Sequence, residues 1–200
     1  MRKLILSLFA CVIFIGTPAM AAPEIGQAAP EFSGLDTKGN THKLSDFRGK
    51  TVILEWTNHE CPYVKKQYNS GNMQAIQELA TNNGAVWLTV LSSAEGEQGY
   101  VTAAEAEKIM ADNKFKSTAF ILDPSGEIGT LYSAKTSPHM FIIDAEGVLV
   151  YDGAIDSDSG FKEEGLVGAT NYVLEALNDM SEGRAVKIAK TKPYGCSVKY

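Results

Sequence analysis

Cys61 is the residue whose type and position point most directly to chemistry. It follows the apolar run 51–56 and stands immediately before Pro62. A proline in the first turn of a helix loses no hydrogen bond, so this pair predicts a helix that begins at Pro62. The positive end of that helix, with Lys65 and Lys66 one turn further on, favours a thiolate at Cys61. Because a thiolate attacks disulfides and peroxides, the pattern indicates a nucleophilic cysteine.

A second interpretation makes Cys61 a small structural side chain buried at a strand–helix junction. The polar run 57–60 that precedes the sulfur favours a position that solvent reaches instead. Glu60 acts against the thiolate through its like charge. We therefore expect a solvent-reachable sulfur and keep the structural interpretation as its alternative.

The N-terminus predicts export. Arg2 and Lys3 precede an apolar run of about twelve residues, and Ala19-Met20-Ala21 ends the segment, so residues 1–21 are predicted to be a signal peptide with 22–200 as the domain. The apolar run is too short for a stable membrane anchor. Removal of residues 1–21 leaves 16 basic and 24 acidic residues, a net charge of −8, which argues against nucleic acid as a partner. We expect a periplasmic protein.

Hydrophobic periodicity divides residues 22–200 into alternating strands and helices without a linker, which indicates one domain. Buried strands are predicted at 51–56, 85–91 and 118–123, and a hairpin at 140–144 and 148–151. Helices are predicted from Pro62 to about Asn82 with a break at Ser70-Gly71, after a capping box at Thr102, around 128–132, and over 163–180. The loop 156–160 fails the calcium-binding pattern and is expected to be solvated. The sum is an α/β fold with a central mixed sheet and helices on both faces.

Three stretches carry a resemblance to a known family. Residues 26–32 (GQAAPEF), residues 44–50 (LSDFRGK) and the strand that leads to Cys61 resemble the peroxiredoxin-like redoxins of the alkyl hydroperoxide reductase/thiol-specific antioxidant branch of the thioredoxin-like superfamily. The resemblance implies a thioredoxin-like fold. Val64 stands where the Cys-Pro-x-Cys motif has its second cysteine, and Leu54 and Asn58 stand where true peroxiredoxins have proline and threonine. We therefore expect slow peroxide turnover.

The resemblance also assigns residues around the sulfur. Ser137-Pro138-His139 precedes a predicted strand, where the superfamily places a cis-proline, so Pro138 is expected to be cis. In this arrangement His59 and His139 both flank Cys61. Either imidazole can then take the thiol proton or, when protonated, stabilise the thiolate. The alternative for each is a histidine that has no part in the chemistry.

Cys196 lies in a tail whose GCSVK ending is similar to that of the redoxin subgroup. Between Gly195 and Ser197 on a mobile tail, it can approach another sulfur. As a resolving cysteine it would attack an oxidised Cys61 or a mixed disulfide at Cys61. Alternatively, a structural bridge to Cys61 would contribute about 5 kcal/mol in the chain-entropy model.

These observations predict an exported thiol–disulfide oxidoreductase of peroxiredoxin-like type. Its substrate is a protein or small-molecule disulfide or a peroxide, an external thiol reopens the disulfide, and no cofactor is implied. One alternative is a copper metallochaperone that uses Cys61, Cys196 and a histidine. Another is a redox-inactive binding module, because the CxxC motif is incomplete.

Overall fold

A computed structural model describes residues 22–200. The predicted signal peptide lies outside the described residues. The nine strands and five α-helices of these residues are, in chain order, β1 (Ser33–Asp36), β2 (Thr41–Lys43), β3 (Val52–Trp56), α1 (Pro62–Asn69), α2 (Asn72–Asn82), β4 (Val86–Leu91), α3 (Ala103–Asp112), β5 (Ala119–Leu122), α4 (Glu127–Tyr132), β6 (Thr136–Ser137), β7 (His139–Ile143), β8 (Leu149–Gly153), α5 (Tyr172–Ser181) and β9 (Cys196–Ser197).

Seven strands form one mixed sheet in the order β2-β1-β5-β4-β3-β7-β8. β3, β4 and β5 are parallel, whereas β7 pairs antiparallel with β3 and places His139 opposite Trp56. One face packs against α1, α2 and α5, and the other face packs against α4. The predicted mixed sheet with helices on both faces is confirmed.

Local sequence signals account for several helix ends. The break predicted at Ser70-Gly71 separates α1 from α2, with Gly71 in the left-handed region at φ +79°. The Thr102 capping box is present: the Thr102 backbone N–H donates to the Glu105 carboxylate at 2.8 Å, and the Thr102 hydroxyl accepts from the Glu105 N–H. Side chain and backbone thus satisfy each other at the start of α3.

Two expectations about the region after β8 are met only in part. The helix predicted over 163–180 begins only at Tyr172, because Gly168 adopts φ +82° and Asn171 caps α5 by accepting from the Leu174 N–H at 3.0 Å. The loop 156–160 is not solvated throughout, since Asp156 is only 2 % exposed. It wraps around the ammonium group of Lys66, whose side chain has no exposed surface.

Glu55 is a fully buried acid at the centre of the sheet, on β3. Its carboxylate accepts hydrogen bonds from Tyr68 (2.7 Å), Trp87 (2.8 Å), Gln77 (2.9 Å) and Thr89 (3.2 Å). Burial raises the pKa of Glu55 to about 7, although these four bonds favour the ionised form. The sheet therefore contains a carboxyl group that titrates near neutral pH.

This titration predicts a pH dependence of stability. Because the folded pKa lies above the unfolded value, the stabilisation from Glu55 is complete below about pH 4.5 and is lost as the pH rises through about 7. The glutamine of Glu55→Gln cannot titrate. Between about pH 4.5 and 7, the free energy of unfolding should therefore fall by roughly 3 kcal/mol more in wild type than in Glu55→Gln. Urea denaturation of the oxidised protein between pH 4.5 and 8 measures it.

The control is Glu78→Gln, which changes an exposed glutamate of α2. It should keep the wild-type pH slope. An identical slope in Glu55→Gln and wild type would contradict the assignment.

Candidate active site

The helix that follows Cys61 starts as the sequence predicts. Pro62 is the first residue of α1, and Cys61 is its cap, with extended backbone. The Cys61 carbonyl accepts from the Lys65 N–H at 2.9 Å, and the Cys61 N–H donates to the Asn58 carbonyl at 3.0 Å. The sulfur therefore lies at the positive end of α1, which favours a thiolate.

Cys61 forms a disulfide with Cys196, and the two Cα atoms are 6.0 Å apart. The tail reaches this position because β9 pairs antiparallel with β6, which sets Cys196 opposite Ser137. The Ser137 carbonyl oxygen lies 3.1 Å from the Cys61 sulfur. Gly195 adopts φ +139°, and a Cβ there would overlap with that same carbonyl, so only glycine fits.

The two sulfur-bearing residues differ in burial. Cys61 has no exposed surface and packs with Val64, Met73 and other apolar side chains under α1 and α2. Cys196 is only partly buried. The expectation of a solvent-reachable sulfur at Cys61 is therefore not met in the disulfide-bonded state.

Pro138 occupies the expected place beside the disulfide. The Ser137–Pro138 peptide bond is cis, as the resemblance implies. Pro138 is buried and lies between β6 and β7. The same turn therefore brings both the Ser137 carbonyl and the β6 edge to the two sulfurs.

His139 is buried, but its imidazole does not flank the sulfur. Its Nδ1 accepts from the Lys135 N–H at 3.2 Å, and its Nε2 is 2.8 Å from the Asp152 carboxylate. Side chains alternate along β7, so Met140 packs on the Cys61 side of the sheet and His139 points to the other side. Burial lowers the pKa of His139, although the bond to Asp152 raises it. The expected position beside the Cys61 sulfur is therefore not found.

His59 is half-buried in the loop before Cys61. Burial lowers the pKa of His59, and the charges that act on it are those of Glu60, Lys65 and Glu105. Within residues 22–200, the polar contact of the Cys61 sulfur is with the Ser137 carbonyl and not with His59. The structure therefore places it close to Cys61 in the chain without joining it to the disulfide.

The lysines after Cys61 do not both act as predicted. Lys65 is exposed. Lys66 instead donates to the carbonyl oxygens of Asp158 and Gly160, both at 2.8 Å, and pairs with the Asp158 carboxylate at 3.2 Å. Its charge is paired with the loop 156–160, so the expected support of a Cys61 thiolate by Lys66 is corrected.

The tail that carries Cys196 is bound on both sides of the cysteine. Before it, the Thr191 hydroxyl lies 2.7 Å from the Tyr151 hydroxyl. After it, the Val198 N–H donates to the Lys135 carbonyl at 3.2 Å. In the disulfide-bonded state, the tail is therefore held by partners far away in the sequence, which the sequence analysis did not predict. Sequence reasoning also missed the Ser137 carbonyl, since a backbone group leaves no side-chain signal.

The described residues give little support to a metal site. Among residues 22–200 there is no group of three or more ligating His, Cys, Asp or Glu side chains. Cys61 and Cys196 are bonded to each other, and both nitrogens of His139 have other partners.

Residues 22–200 contain no helix with the length and apolar character to cross a membrane.

Solved structures with similar folds cover most of this chain. An uncharacterised conserved protein from Geobacillus kaustophilus superposes with a TM-score of 0.77 at 22 % identity, over 88 % of this chain and 92 % of its own. A hypothetical protein from Sinorhizobium meliloti gives 0.76 at 19 % identity, over 90 % and 96 %. The thioredoxin domain of a thiol-disulfide oxidoreductase from Bacteroides vulgatus gives 0.53 at 21 % identity, over 66 % and 89 %. These likenesses establish a thioredoxin-like fold.

Sequence relatives agree with that fold. The thiol-disulfide oxidoreductase ResA of Geobacillus kaustophilus is 29 % identical over 134 residues, which are 63 % of this chain and 67 % of the relative. ResA of Bacillus subtilis is 27 % identical over 62 % of this chain and 64 % of its own length. The model of the AhpC/TSA family matches residues 25–152, a segment that includes Cys61 and Pro138 and ends before Cys196. The chain therefore belongs to the AhpC/TSA family.

Proposed function

We propose that this protein is a thiol–disulfide oxidoreductase with Cys61 and Cys196 as its redox couple. The observation that carries the proposal is their disulfide, formed at the N-terminus of α1 beside the cis-Pro138 turn. Family membership and the printed names of the ResA relatives support this class of reaction. One sulfur of this disulfide, that of Cys61, is fully buried, so exchange with an outside thiol starts at the other sulfur.

Reduction begins at Cys196. Because Cys61 has no exposed surface, the thiolate of an external reductant attacks the partly exposed Cys196 sulfur. A new bond forms between that thiolate and Cys196, the Cys61–Cys196 bond breaks, and Cys61 leaves as a thiolate at the positive end of α1. A second reductant thiolate then attacks the mixed disulfide, which releases Cys196 and the oxidised reductant.

Substrate reduction reverses the roles of the two cysteines. When β9 leaves β6, the Cys61 thiolate is uncovered and attacks a substrate disulfide, which releases one substrate thiol. Cys196 then attacks the Cys61 sulfur of the mixed disulfide and releases the second thiol. The disulfide of the protein is restored, so two electrons pass from the protein to the substrate.

The surroundings of Cys61 favour disulfides over peroxides as substrates. Leu54 is fully buried and packs on the face of the sheet opposite to Cys61. The Asn58 amide donates to the Gln98 carbonyl at 3.1 Å and accepts from the Glu60 N–H at 2.9 Å. These bonds fix the loop before Cys61, so the Asn58 side chain is not available to bind a peroxide.

We further infer that residues 1–21 direct export and that residues 22–200 act in the periplasm. The basic start, the short apolar run and the Ala-x-Ala end support the first statement. A disulfide supports the second, because such compartments tolerate disulfides. The substrates are then exported disulfide-bearing molecules, and the reductant is an external thiol.

Cys196→Ser tests the resolving role. Cys11, the third cysteine of the sequence, lies in the predicted signal peptide and is first changed to serine. The reduced Cys11→Ser protein is then mixed with a limiting amount of an aromatic disulfide whose thiol absorbs light. With Cys196 present, both thiols of each disulfide should be released, whereas Cys196→Ser should release one and keep the other on Cys61. Absorbance gives the ratio, and mass spectrometry gives the adduct.

Ser197→Ala is the matched control, since it changes the exposed neighbour of Cys196 and should release both thiols. Retention of a mixed disulfide on Cys61 when Cys196 is intact would show that Cys196 does not resolve. A lower melting temperature of Cys196→Ser relative to the oxidised parent, without any change in thiol release, would indicate a structural bridge.

The site of reductant attack is a separate prediction. Oxidised protein is mixed with glutathione, quenched with acid at early times and mapped by peptide mass spectrometry. Glutathione should be found on Cys196, because Cys61 is buried. Urea-unfolded oxidised protein, with both sulfurs exposed, should carry adducts on both cysteines. Early adducts on Cys61 of the folded protein would overturn the order of events.

Substrate preference is the third prediction of this function. Stopped-flow fluorescence of the reduced protein should show at least tenfold slower oxidation by hydrogen peroxide than by a small disulfide at equal concentration. The reason is that Asn58 and Leu54 are committed to packing and loop bonds. Faster reaction with peroxide would identify the protein as a peroxidase.

A further inference from the structure

A buried polar network joins α1 to the tail that carries Cys196. The ammonium group of Lys66 lies 3.3 Å from the Tyr194 hydroxyl and 4.9 Å from the centre of its ring. The Tyr194 hydroxyl donates to the Asp156 carboxylate at 2.6 Å, and Asp156 lies 4.0 Å from the Lys66 ammonium. Lys66 has no exposed side-chain surface and Asp156 is only 2 % exposed. The Tyr194 hydroxyl is therefore bound to both members of the buried Lys66–Asp156 ion pair.

Two further side chains of α1 bind the same tyrosine. The Gln67 amide donates to Asp156 at 2.6 Å and lies 3.4 Å from the Tyr194 hydroxyl. The Tyr63 ring packs against the Tyr194 ring, with centres 5.9 Å apart. Burial, and then the nearby Asp156, raise the pKa of Tyr194, so its hydroxyl keeps its proton and donates. The contacts of Tyr63, Lys66 and Gln67 link the helix that follows Cys61 to a residue two positions before Cys196.

Such a network fixes geometry more than it adds stability. Removing charged groups from water is costly, so a buried pair contributes little net stability, whereas deleting one partner is strongly destabilising. Hydrogen bonds to charged groups require set distances and angles. A tail held only by apolar contact would have no such requirement. The free-energy cost of burying these charged groups is therefore explained by a requirement that the tail occupy one position.

We propose that Tyr194 is a positioning residue that keeps the Cys196 thiol beside Cys61 when the disulfide is reduced. The inference rests on the proposed pairing of these cysteines as a redox couple. Tyr194 does not touch either sulfur in this role. By binding Asp156 and α1, it raises the effective concentration of Cys196 at Cys61 and so stabilises the disulfide against external thiols.

The relevant equilibrium is the exchange of the protein disulfide with glutathione. Two glutathione thiols lose two electrons and two protons and become glutathione disulfide. The Cys61 and Cys196 sulfurs gain those electrons and protons and become two thiols. The equilibrium constant of this reaction reports how strongly the folded protein holds the two thiols together.

Tyr194→Phe is the main test, because it removes only the hydroxyl. In glutathione redox buffers it should shift the equilibrium toward the reduced protein about tenfold, which is about 30 mV. Tyr63→Phe, in the same aromatic cluster, is the matched control and should stay within twofold of wild type. An unchanged equilibrium in Tyr194→Phe would overturn the proposal.

Alkylation in a Cys11→Ser/Cys61→Ser background measures the position of the tail without any disulfide. Addition of Tyr194→Phe should raise the rate of alkylation of Cys196 about tenfold, and addition of Tyr63→Phe should leave it unchanged. A merely structural role would lower the melting temperature without changing either the alkylation rate or the glutathione equilibrium. That outcome would also overturn the proposal.

A measurement on reduced wild-type protein keeps the test independent of variant folding. Amide hydrogen exchange should show protection at Val198, the residue after β9, because its N–H donates to the Lys135 carbonyl. Rapid exchange there would show that the reduced tail is not held, contrary to the proposal. None of these readouts requires substrate turnover, so a protein that fails to reduce substrate disulfides but retains the Tyr194 effect would refute the proposed function alone.

Discussion

The antiparallel pairing of β6 with β9 is the contact on which the active site depends. It is only two residues long, and its register sets Cys196 opposite Ser137. A shift by one residue would turn the cysteine side chain to the other face of the ladder. Gly195 allows the tail to pass the Ser137 carbonyl without overlap. Two distant parts of the chain therefore meet at the sulfurs through one short ladder, which needs other contacts to hold it in place.

Those contacts come from both directions along the tail and from α1. The helix is fixed to the sheet because Tyr68 donates to buried Glu55, and it is fixed to the loop 156–160 through Lys66. Tyr194 joins that loop to the tail. A movement of the tail away from Cys61 must therefore break a buried network as well as the β6–β9 ladder. This is why a cysteine 135 positions away in sequence can act as a local partner.

Sequence reasoning predicted the parts of the fold that depend on near neighbours. Pro62 marked the start of α1, Thr102 marked the cap of α3, and the apolar runs marked the buried strands. The resemblance to redoxins supplied cis-Pro138. The errors concern side chains whose surroundings depend on remote parts of the chain. Lys66 binds a residue 92 positions away. His139 follows Pro138 in the chain, but alternation along β7 turns its side chain to the face of the sheet opposite to Cys61.

Opposing effects act on the Cys61 sulfur, and the tail decides between them. The positive end of α1 favours the thiolate, whereas complete burial and the Ser137 carbonyl 3.1 Å away favour a neutral thiol that donates to that oxygen. Lys66 cannot shift the balance, because its charge is paired with Asp158. In the proposed cycle, departure of Cys196 opens the sulfur to water and lowers the cost of burying a charge there. The thiolate is then favoured in the state in which a substrate reaches Cys61.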